Sequence, residues 1–88
     1  MTASNDRRNA LRAAILEIAR ARGTEKTLCP SEAARAVVVE TDDWRALMPE
    51  TRTAALSLAA EGAIEITQKG KPVDGTTARG PIRLRLLS

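Results

Sequence analysis

The sequence has no histidine, phenylalanine or tyrosine, and in 88 residues it has one tryptophan, Trp44, and one cysteine, Cys29. Each absence excludes something. Without histidine there are no imidazole metal ligands and no histidine-based triad. A single cysteine excludes an internal disulfide and fits a reducing compartment. With Trp44 as the only ring, the core must come from Leu, Ile, Val and Ala, and the bases of a single strand have almost nothing to stack on. No run approaches the roughly 20 apolar residues that span a bilayer, and segment 1–8 lacks the apolar stretch of a secretory signal. The expected location is the cytoplasm.

What is present is charge, unevenly placed. The length suits one domain over 1–88. With 43% hydrophobic and 28% charged residues, a packed fold is expected. The net charge of +3 comes from 14 basic and 11 acidic residues. Residues 1–36 carry 7 basic and 4 acidic side chains, and residues 67–88 carry 5 basic against Asp74 alone. Residues 37–66 reverse the balance, with Arg45 and Arg52 against Glu40, Asp42, Asp43, Glu50, Glu61 and Glu65. The middle is acidic and both ends are basic.

After a disordered 1–5, Ser4 or Asn5 is expected to cap a first helix whose buried face carries Leu11, Ala14, Ile15, Ile18, Ala19 and Arg22, with Gly23 as its stop. Its other face, with Arg7, Arg8, Arg12, Glu17 and Arg20, is either a solvated surface or a nucleic-acid contact. Thr27 and Leu28 suit a short strand beside a later hairpin. Pro30 suits a first helical position, with Glu32 reaching back to the cap and the second helix running through Ala33, Ala34 and Val37. The β-branched run 37–39 weakens its end. The connection 40–48 is longer than a tight helix-turn-helix turn. It offers Asp42 or Asp43 as a cap, then a helical turn with Trp44 either as the packing anchor beneath it, and then the largest single packing contribution, or as an exposed contact residue.

A third helix is expected over 49–61. Its inward stripe is Arg52, Ala55, Leu58, Ala59 and Gly62, widened by Leu56, which leaves Glu50, Thr53, Ala54, Ser57 and Glu61 outward. A hairpin over 62–87 follows by alternation: Ile64 and Ile66 against Glu65 and Thr67, then Ile82, Leu84 and Leu86 against Arg83 and Arg85. Its tip, 69–80, holds Gly70, Pro72, Gly75 and Gly80, and reads as a mobile loop too long for a two-residue turn. Three helices followed by a hairpin make an α+β, winged-helix layout.

The run 29–35 (CPSEAAR), Trp44-Arg45 with Leu47-Met48, Arg52 with Ala55 and Gly62, and 80–85 (GPIRLR) resemble a small bacterial family, domain of unknown function 3253. The resemblance covers nearly the whole chain after residue 10. It implies a winged-helix-like fold and brings no catalytic, cofactor or metal residues.

Three functions are weighed. Winged helices commonly bind double-stranded DNA, with helix three in the major groove and the wing on the backbone. Here the expected outward face of helix three is acidic and small, so only Arg52 offers base contact, unless it is held at the core rim. Lys69, Lys71 and Arg79 on the wing offer phosphate contacts, or form an ordinary solvated loop. Arg83 and Arg85 are weaker candidates that can pair with Glu65 across the strands. The alternative is a protein-interaction module, docking a charged partner or pairing two copies head to tail through its acidic middle and basic ends; a homodimer is left open. An enzyme is least favoured. Cys29, at a helix N-terminus, is a candidate redox thiol, but no histidine is available as a base, and a small residue at a cap is the simpler reading.

Overall fold

The computed structural model describes residues 3–38 and 43–87. Val39, Glu40 and Asp42, discussed above, lie outside the described residues, as do Met1 and Thr2. Helix α1 (Ala3–Arg22) takes Ser4 and Asn5 into its first turns, so neither is its cap and residues 3–5 are helical. Leu11, Ile15 and Ala19 are fully buried along one face. At the far end Gly23 donates its N–H to the Ala19 carbonyl (2.9 Å), closing the last turn.

Strand β1 (Thr27–Leu28) leads into α2 (Pro30–Val37). The Cys29 N–H donates to Glu32 Oε2 (2.8 Å), the expected reach-back that satisfies a donor at the helix start. A 3-10 turn, Trp44–Leu47, supplies the extra helical turn, capped by Asp43 Oδ1, which accepts from the Arg45 N–H (3.0 Å). Trp44 differs from expectation. It is half-buried and outside the central apolar cluster, with Arg35 and Arg45 guanidinium carbons 4.5 and 4.7 Å from its ring centroid. Two guanidiniums therefore flank the ring, which lies at the edge of the apolar cluster and not within it.

Helix α3 (Met48–Ala60) also differs in phase. Thr51, Ala54, Ala55 and Leu58 are buried, whereas Arg52 and Ala59 are only half-buried and Gly62 is exposed. Thr51 tolerates burial because its hydroxyl donates to the Leu47 carbonyl (2.8 Å). At the C-terminus Gly62 (φ +79°) donates to Ala59 O and Ala63 donates to Leu58 O, both at 3.0 Å. This paired closure needs a left-handed residue, which glycine supplies at least cost.

Three further strands complete an antiparallel sheet: β2 (Ile64–Gln68), β3 (Lys71–Pro72) and β4 (Arg83–Leu86), in the order β1-β4-β2-β3. Opposite residues are Thr27 and Arg85, Glu65 and Arg85, Ile66 and Leu84, and Thr67 and Arg83. Leu28, Ile64, Ile66, Ile82 and Leu84 thus meet Leu11, Ile15, Ala33, Ala55 and Leu58 in one core between sheet and helices. Each large aliphatic side chain fully buried there contributes about 1.5–3 kcal/mol. The arrangement among the described residues is α+β and winged-helix-like. No helix among them is long and apolar enough to cross a membrane.

Candidate functional site

The wing is more ordered than its glycine content suggests. Gln68 pairs with Lys71, so Lys69 and Gly70 form a two-residue turn, both with positive φ (52° and 82°). That is the hairpin turn whose twist matches its strands, and it replaces the expected open loop. The chain then folds back. Val73 N–H donates to Ile66 O (2.9 Å), and Asp74 Oδ1 accepts the Thr76 N–H (2.9 Å) and hydroxyl (2.6 Å). These donors hold the Asp74 carboxyl below its ordinary range, the Thr76 hydroxyl most of all. Gly75 packs so tightly that a Cβ there would lie 2.4 Å from Ile66 Cδ1 and 2.8 Å from Leu56 Cδ2. Gln68 Nε2 donates to Pro81 O (3.2 Å), and Arg52 donates to Ala78 O (3.1 Å).

This folding opens a groove of about 810 Å³ between β3 and the chain leading into β4. Lys69, Lys71, Arg79 and Arg83 line it together with Gln68, and no carboxylate does. Lys69, Lys71 and Arg79 are exposed. Arg83 is tethered, with Nε donating to Thr27 Oγ1 (2.8 Å) and a terminal nitrogen donating to Thr27 O (3.3 Å). The structure therefore brings Lys69, Lys71 and Arg79 together with Arg83, one of the two weaker candidates, and adds Gln68. Arg52 is not among them. It lines an adjoining cleft of about 550 Å³ between α3 and the folded wing, which Arg79 also borders.

The acidic middle is occupied internally. Glu50 pairs with Arg7 (3.1 Å) and Glu61 with Arg12 (2.7 Å), joining α3 to α1. The Arg12 guanidinium holds the Glu61 carboxyl below its usual range, and Arg12 is itself raised by the pair. Glu65 pairs across the sheet with Arg85, leaving Arg83 to the groove. The exposed positions of α3 are Pro49, Thr53 and Ala60, with Arg52 and Leu56 half-buried beside them on the wall of the cleft. Ala54, expected outward, is fully buried, and Ser57 accepts a hydrogen bond from Arg12. The carboxylates of the helix are engaged by α1, and Arg52, held to Ala78 O, is its one side chain with a fork suited to bidentate base reading.

Cys29 is half-buried at the start of α2, where the Ser31 hydroxyl donates to its sulfur (3.1 Å). Among the described residues no three His, Cys, Asp or Glu side chains form a metal-binding group. Sequence reasoning placed Arg83 beside Arg85 without choosing which would face Glu65. That choice depends on hairpin register, which a long intervening segment conceals. A comparison with curated proteins returns no match. Residues 8–87 match the family described as protein of unknown function (DUF3253), and the chain belongs to it.

Proposed function

We propose that this protein is a non-enzymatic binder of double-stranded DNA that grips phosphates with its wing and reads little or no sequence. The observation supporting this is the convergence of Lys69, Lys71 and Arg79, with Arg83, on one groove lined by no carboxylate. Phosphate contacts require charge and reach, which exposed lysines supply, whereas base reading by α3 would fall to Arg52 alone, a half-buried side chain held to Ala78 O. The location we propose with this role is the cytoplasm. A charged-partner docking surface is less well supported, because Glu50, Glu61 and Glu65 are already paired with Arg7, Arg12 and Arg85.

Fluorescence anisotropy with a labelled duplex tests the reading. Lys69→Glu and Lys71→Glu should each weaken binding about tenfold or more at moderate salt, while Arg20→Glu, on the exposed side of α1, should change it little. Equal effects at all three positions, or a salt-insensitive dimer that binds no duplex, would reject it.

A further inference from the structure

A second cavity, of about 290 Å³, lies where the start of α2, the 3-10 turn and the approach to β4 meet. Pro30, Trp44, Met48, Pro81 and Ile82 give it apolar walls. One charged side chain lines it, Arg52, whose only hydrogen bond among the described residues is the one to Ala78 O. Arg52 stands between this cavity and the cleft beside the wing, where Ala78 lies, and its other guanidinium donors have no partner among the described residues. The Arg35 and Arg45 guanidiniums lie against the Trp44 ring but do not line the cavity, so they add positive potential without filling it. No carboxylate lines it.

Apolar walls with one arginine at their edge match a ligand with an apolar body and a single planar anionic end. We propose that this cavity binds a small monocarboxylate, its hydrocarbon part against Trp44, Met48 and Ile82 and its carboxylate on Arg52. A doubly charged phosphate ester is a poorer match, since one guanidinium would face both charges in an otherwise apolar site. The cavity shares Pro81 with the wing groove but none of that groove's basic side chains, and the proposal needs no DNA.

Trp44 is the sole aromatic residue, so its fluorescence reports directly on the cavity. Titration with octanoate should give a saturable change, with 1-octanol, the uncharged counterpart, about tenfold weaker. Arg52→Gln, checked for folding by circular dichroism, should bind octanoate about tenfold more weakly than the parent, with Arg52→Lys in between. In the unmodified protein octanoate should also slow alkylation of Cys29, which lines the same cavity. No saturable response together with unchanged Cys29 alkylation would overturn the proposal, as would 1-octanol binding as tightly as octanoate.

Discussion

Glu32 ties two elements together at a single side chain. Arg22 donates to Glu32 Oε2 (2.7 Å) and to Thr27 O (3.1 Å), and its second terminal nitrogen reaches Glu32 Oε1. The same carboxylate accepts the Cys29 N–H. Chiefly through the Arg22 hydrogen bonds, its pKa falls from 4.5 to about 2. Because the folded value lies below the unfolded one, the associated stability is complete above pH 4.5 and is lost as pH falls toward 2. Glu32→Gln should lower stability at neutral pH by about 1 kcal/mol, a modest figure because the pair is partly exposed. It should also flatten the acid dependence in that window. Urea unfolding from pH 7 down to pH 2 measures both, and parallel curves for the two proteins would count against the assignment. This residue was legible in the sequence, since a proline followed two positions later by glutamate marks a helix start; its Arg22 partner was not, because the pairing depends on how the two helices meet.

At the scale of elements, the third helix shows where reading the sequence stops. Its expected stripe through Arg52, Ala55, Leu58, Ala59 and Gly62 is rotated from the buried set Thr51, Ala54, Ala55 and Leu58. Alanine and threonine at so many positions leave the apolar periodicity weak, so tertiary contacts decide the phase. Arg7 and Arg12 draw Glu50 and Glu61 toward α1, and Thr51 meets its own hydrogen-bonding need within the helix. The strands β2 and β4 were legible because isoleucine and leucine alternate cleanly with charged residues. The wing turn was concealed because lysine, not asparagine, occupies its first left-handed position. Lys69→Asn should therefore stabilise the fold by about 0.5 kcal/mol while weakening DNA binding, a combination that thermal unfolding and anisotropy separate. Gly75→Ala should cost about 1–2 kcal/mol by overpacking against Ile66 and Leu56. Adding Leu56→Ala should reduce that penalty in a double-mutant cycle, and additive effects would show that the contact does not set it.

Over the whole molecule, charge is sorted by partnership. The acidic middle segment binds the basic ends from within: Glu50 and Glu61 take Arg7 and Arg12, and Glu65 takes Arg85. What remains on the wing is a basic groove beside a helix face whose one charged side chain, Arg52, is held to Ala78 O. The segmental charge count anticipated a basic wing, but the arginine pairs that partner Glu50, Glu61 and Glu65 at the surface required the packed fold. The central claim is that this groove binds duplex phosphates, and the salt dependence of affinity tests it most directly. Between about 50 and 300 mM salt, the log–log slope should be about −3, and Lys71→Gln should reduce its magnitude by about 1. A flat dependence, or a slope that Lys71→Gln leaves unchanged, would contradict the account.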